Sequence, residues 1–305
     1  MFFQKKFITI FENENFKVEI EDKDIIYKEG YIIVLNQYIK EEIKNPQSKI
    51  VPMLVFLKTI KILWTNNEES YFTPKNPLSL YFSAKQIISL LITEENFRRD
   101  CIIKAFVHEL THCYDYSKAF FYDYIRRKDK SLFKKGLFSF SFKTMLQYLS
   151  RSSILVFYQN IRLEGFSHYM ESYYQYGELG GSDFKYNMEY GRLVNILDQK
   201  LNELNNVKNE LEYLNYFSSN FEKNEEAKRV LGEHLIYTIL HKSKNKISFF
   251  DLIEMPFKKI IELYEEIMIN EVKLQPLITY SSGKGVLDYK RTIKEWHELR
   301  KKDKK

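Results

Sequence analysis

The chain reads as an α+β protein, predominantly helical, and two observations carry that reading. Apolar residues in the first third fall in short alternating or clustered runs suited to strands, whereas later segments repeat them every three or four positions. Gly and Pro are scarce, at 10 and 6 of 305 residues, which favours helices over tight hairpins.

Taken in order, Phe7 to Phe11 and Phe16 to Ile20 predict strands, the second with clean alternation. Ile25 to Tyr27, then Glu29-Gly30, then Tyr31 to Leu35 predict a hairpin turning at the glycine. Ile50 to Leu57 suits a helix and Lys61 to Thr65 a strand, with a turn at Asn66-Asn67 and a loop through Pro74 and Pro77. Leu78 to Ser83 and Gln86 to Leu91 are expected strands leading into a helix. Thr93 is suited to cap that helix, with Glu94 and Glu95 in its first turn, and the pattern runs to about Tyr114. Phe97, Ile103, Phe106, Val107, Leu110 and Tyr114 form its broad apolar face. Lys104, His108, Thr111, His112 and Asp115 form a narrow polar stripe.

Residues 142 to 176 keep helical periodicity until Gly180-Gly181-Ser182 breaks it. A long Leu-rich amphipathic helix is expected over 187 to 215. A further helix is expected after Asn224, with Glu225 and Glu226 in its first turn, and another from Phe257 to Ile269. The organisation expected is therefore a mixed part over 1–85, a catalytic core over 86–180 and a helical C-terminal part over 181–305 with a basic tail.

Composition narrows the function. The net charge of +6 is mild for this length and calls for no nucleic-acid partner. Lys58 and Lys61 interrupt the most apolar stretch, Ile50 to Trp64, so no membrane span is expected. The start, Met1 to Lys6, lacks the pattern of a secretion signal, and the default expectation is a cytoplasmic location. The only cysteines, Cys101 and Cys113, stand twelve positions apart on the expected helix, roughly 18 Å at helical rise, too far to pair. Ser282-Gly283-Lys284-Gly285 lacks the spacing of a phosphate loop.

The chemistry concentrates in His108-Glu109-Leu110-Thr111-His112, which has the form H-E-x-x-H. On a helix, positions i and i+4 share a face, so two imidazoles can grip one zinc ion while Glu109 acts as general base on a water. The competing reading is a solvated polar stripe, since Lys104 and Asp115 share that face. A catalytic zinc site takes three protein ligands. The metzincin extension needs Gly at 115 and His at 118, where this chain has Asp115 and Lys118. An aspzincin-like pattern is met around Gly181 to Tyr186 only at Gly, Asp183 and Tyr186. The best third ligand is Glu164, 52 residues after His112 in the run Arg162-Leu163-Glu164-Gly165-Phe166-Ser167-His168. Gly165 beside it would let another helix approach closely.

These residues together resemble the gluzincin class of zinc metallopeptidases, in which two His on one helix and a Glu on a second bind zinc. The resemblance covers Gln86 to Asp115 and, less fully, Asn160 to Tyr174; over Val230 to Tyr264 it is faint. It implies a zincin-like core, Zn2+ held by His108, His112 and Glu164, Glu109 as base, and a peptide or protein substrate. Several gluzincins place an acid four residues after the ligand Glu to orient a ligand His, and here that position is His168. His168 could support a ligand, replace one or touch substrate, and Asp115 is another source of the carboxylate. His234 is the candidate oxyanion donor, with Tyr237 and Tyr173 as alternatives. Two rival functions stand beside the peptidase: a catalytically silent zinc-binding or helical interaction protein, and a metal hydrolase acting on other bonds.

Overall fold

The structure, a computed structural model, describes residues 6–65, 87–91, 97–118, 161–174, 219, 225–243, 246–255 and 257–268. The expectations placed on Leu78 to Ser83, Thr93, Gly180 to Tyr186, the helix over 187–215 and Asn224 lie outside these residues. Among the described residues the fold is mixed α and β and mostly helical.

Two short strands begin it, β1 (Phe7–Glu12) and β2 (Lys17–Glu21), paired antiparallel. Asn13 makes the turn between them: its Oδ1 accepts from the backbone N–H of Asn15 and Phe16, both at 2.9 Å. Helices α1 (Lys28–Lys44) and α2 (Ile50–Leu57) follow, then β3 (Thr59–Thr65), which runs parallel to β2. A parallel pair needs such a crossover. Strand β4 (Ile87–Leu91) adds parallel to β3 and completes the order β1-β2-β3-β4. Register aligns Ile20 with Ile62 and Ile62 with Ile88, all fully buried, so one face of the sheet is a continuous apolar row. Glu21 anchors the β3 end, its carbonyl accepting from Trp64 Nε1 at 2.9 Å.

The hairpin expected around Gly30 is not formed. Residues 28–44 are one helix, α1, because Tyr31, Leu35, Tyr38 and Ile39 recur on one face and all are buried. Helix α2 matches expectation. Ser48 Oγ accepts from the backbone N–H of Ile50 and Val51 at 3.2 Å, and Pro52 sits in the first turn, where its missing N–H costs nothing.

Helix α3 (Arg99–Lys118) carries the motif, and α1, α2 and β4 all pack against it. Aromatic contacts fasten it: Tyr38 meets Phe106 edge-on at 6.4 Å and Phe56 meets Tyr114 at 5.2 Å between ring centres. Both cysteines on it are free thiols. A further helix, α4, spans 161–174. It is followed among the described residues by α5 (Glu225–Lys242), α6 (Phe249–Ile253) and α7 (Phe257–Met268).

The chain divides into two compact units, Met1–Ala119 with Phe166–Gly180, and Phe120–Gly165 with Gly181–Lys305. The division falls inside α4, after Gly165, so that helix belongs in part to each. In the second unit α5 packs on α7. There Gly165 meets Gly232 backbone to backbone; a methyl group on Gly165 would stand 2.4 Å from the Gly232 carbonyl oxygen. Arg162 Nη2 donates to the Ile253 carbonyl at 2.7 Å. No helix among the described residues is long and apolar enough to cross a membrane.

Candidate metal centre

Packing on several sides changes what the polar stripe of α3 means. Ile103, Phe106, Val107, Leu110 and Cys113 are fully buried, as the apolar face requires. Most of the stripe is buried too: Thr111 is 0% exposed, His112 6% and Asp115 1%, with Lys104 and His108 half-buried, and Glu109 beside it is 4% exposed. A solvated stripe is therefore not what these residues form. Burial of groups this polar is costly unless each finds a partner. Thr111 finds one locally, donating from Oγ1 to the Val107 carbonyl at 2.8 Å.

Helix α4 supplies one for His112. Ile161, Phe166, Tyr169 and Met170 point into apolar surroundings. Glu164, Ser167, His168 and Glu171 fall at i, i+3, i+4 and i+7, which is one face of a helix. That face meets the histidines of α3. His108 Nδ1 lies 2.7 Å from Glu171 Oε1, and His112 Nδ1 lies 3.1 Å from Ser167 Oγ. The inner nitrogens converge, His108 Nε2 and His112 Nε2 being 2.9 Å apart. His168 Nδ1 lies 3.2 Å from the second oxygen of Glu171, and its ring centre is 5.0 Å from that of His108.

Electrostatics follow from this enclosure. Burial first, and then the neighbouring His108 and His168, push the His112 imidazole well below its ordinary value, so it is neutral. Burial alone would raise the Glu171 carboxyl. Hydrogen bonds from His108 and His168, with their charges, outweigh burial and hold it well below the usual carboxylate range.

Two sets of side chains could hold a metal ion: His108, His112 and Glu164, and His108, His168 and Glu171. Within each set the ligand atoms all lie within 4.8 Å of one another. The first is the triad expected from sequence. Its donors suit zinc, two imidazoles and a carboxylate. Two nitrogens bound tetrahedrally to one ion stand about 3.3 Å apart, given Zn–N bonds of 2.0–2.1 Å. The observed 2.9 Å separation needs only a small opening. The outer nitrogens are already occupied by a carboxylate and a hydroxyl, as they are in most histidine–metal sites.

The remaining candidates have neighbours of other kinds. His234, on α5, belongs to neither set. Its Nε2 lies 3.3 Å from Thr238 Oγ1 and its ring 6.2 Å from that of Tyr264. Burial, with a smaller contribution from Lys242, lowers its pKa to about 4. Tyr237 stacks on His241 at 4.2 Å between ring centres. Tyr173 donates to the Gln47 carbonyl at 3.4 Å and carries Lys49 Nζ over its ring at 3.7 Å. Asp115 is buried but belongs to neither set. The residue that sequence reading missed is Glu171. The signal was present: extending the Glu164–His168 face by one more turn reaches it.

Comparison of the chain with known families, with curated proteins and with solved structures finds no match.

Proposed function

We propose that the protein is a zinc-dependent metallopeptidase of gluzincin-like plan, with α3 and α4 forming a zincin-like core and a peptide or protein as substrate. The observation that carries this reading is the grouping of His108, His112 and Glu164 beside Glu109, the residue that the motif makes a base. Those three side chains would hold Zn2+. When bound, the ion lowers the pKa of a water to about 7 and polarises the carbonyl under attack. Glu109 takes the proton of the attacking water and hands it to the leaving amine. Its burial at 4% exposure strengthens its interaction with nearby charge and keeps bulk water from competing for the proton. His112, neutral through burial, need not shed the second proton that an imidazolium would have to lose before binding a metal. His234 is the candidate donor to the oxyanion, a role that its own substitution tests.

The test separates base from ligand. Glu109→Gln should keep one equivalent of zinc and cleave a quenched-fluorescence peptide library at least ~100-fold more slowly, the usual scale of general-base catalysis. Cleavage at the parent rate would remove Glu109 from the mechanism. Less than about a tenth of an equivalent of zinc, with none taken up on addition, would favour a metal-free scaffold over any tightly binding site.

A further inference from the structure

The two candidate sets have the same donors, two imidazoles and one carboxylate, and both use His108. They approach that ring from different sides. His112 Nε2 lies 2.9 Å from His108 Nε2, whereas Glu171 Oε1 lies 2.7 Å from His108 Nδ1. On α4, His168 and Glu171 stand at i and i+3, so their side chains share a face. Glu171 turns one oxygen to each ring, Oε1 to His108 and Oε2, at 3.2 Å, to His168 Nδ1. The rings of His108 and His168 meet edge to face, 5.0 Å between centres. All three residues belong to the first compact unit. We propose that His108, His168 and Glu171 form a second seat for a divalent transition-metal ion of the zinc class, alternative to the first and sharing His108 with it.

Two imidazoles and one carboxylate suit zinc and its neighbours in the first transition row, not calcium or magnesium, which take oxygen donors. Geometry ranks the two seats. Donor atoms on one tetrahedral zinc, with bonds of about 2.0–2.2 Å, stand about 3.3–3.5 Å apart. The 3.2 Å between His168 and Glu171 is close to that spacing. The 2.7 Å between His108 and Glu171 must widen, and by more than the 2.9 Å between the nitrogens of the first seat. The Glu171 side chain is also 25% exposed, so water competes for the ion. The second seat is therefore the weaker one. The shared ring limits occupancy as well. An imidazole bound to two ions at once must give up its last N–H proton, which it holds tightly in neutral water. One ion therefore fills one seat or the other.

The second seat does not depend on the peptidase reading, since a metal can bind where no peptide is cut. The experiment titrates the whole chain with zinc chloride against a chromophoric chelator, with the visible absorption of added cobalt chloride as a second readout. The parent should bind one equivalent. His112→Ala combined with Glu164→Gln removes two donors of the first seat and should still bind one equivalent. Its Kd should be at least ~100-fold above the parent's, the upper end of what loss of a ligand's support costs. Adding His168→Ala or Glu171→Gln to that pair should abolish the remaining binding, as should His108→Ala. Should the double variant not fold, His112→Gln alone and with His168→Gln decides on the same readouts. The proposal is overturned if the double variant takes up no metal, or if its uptake survives His168→Ala, which would place the ion elsewhere. Two equivalents in the parent that fall to one in His168→Ala would overturn the alternation, because both seats would then fill together. A parent that binds one equivalent and cleaves no peptide removes the peptidase reading and leaves the second seat standing.

Discussion

His112 and His234 are alike by the measures most often used to find functional residues. Each sits on a helix, each is buried at 6% or 7% exposure, and burial drives the pKa of each down. Their neighbours differ. His112 faces a second imidazole at 2.9 Å and a hydroxyl at 3.1 Å, beside a helix face bearing two carboxylates. His234 meets the Thr238 hydroxyl and the edge of Tyr264. Burial makes an imidazole neutral. What makes it a candidate ligand is the convergence of other donors on the same point.

The comparison breaks most readily on metal. His112→Ala should lose zinc by more than the ~10–100-fold that removal of a ligand's hydrogen-bond partner costs, whereas His234→Ala should bind zinc as the parent does. Equal losses in a chelator competition would show that the two histidines are not distinct. Glu164→Gln comes next. An amide oxygen is a weaker zinc donor than a carboxylate, so the same assay should show at least ~10-fold weaker binding. Unchanged affinity would transfer the third ligand to another residue.

The third prediction concerns protons at His234. Its folded pKa of about 4 lies below the ordinary 6.5, so the unfolded chain binds the extra proton between those values. Stability is therefore full above pH 6.5 and falls as pH drops through the window, by about 2–3 kcal/mol at pH 4.5. Chemical denaturation at pH 7 and 4.5 should show this slope in the parent and a shallower one in His234→Gln. Identical slopes would mean that His234 is not enclosed as described. The smallest effect is expected at the glycine crossing. Gly232→Ala places a methyl 2.0 Å from the Ile161 carbonyl oxygen and should cost about 1–3 kcal/mol in a thermal melt. A melt unchanged from the parent would show that the backbones are not in contact.

Regular elements with an unambiguous period were legible in the sequence. Ile50 to Leu57 and Phe16 to Ile20 read correctly because their neighbours in sequence decide their conformation. Tyr31 to Leu35 misled because five apolar residues after a glycine suit a strand as well as a buried helix turn. Only the recurrence at Tyr38 and Ile39 separates the two. At the candidate centre, spacing on one helix brings both His together and Glu164 groups with them, whereas the close approach that Gly165 marks is to Gly232 on α5. Glu171 went unread: its place on the helix face follows from spacing, but its meeting with His108 depends on the rotation of one helix against another, which no local pattern encodes.

The Gly165–Gly232 crossing constrains how this chain could have changed over time. Any substitution of either glycine introduces a residue with a Cβ. At either position that atom would press on backbone, 2.4 Å from the Gly232 oxygen or 2.0 Å from that of Ile161. Backbone cannot turn aside as a side chain can. Either glycine can therefore be exchanged for a slightly larger residue only if the backbone shifts. A half-buried neighbour such as Leu163 meets no such constraint from its own backbone, so variation near Glu164 is cheaper there than at either glycine of the pair.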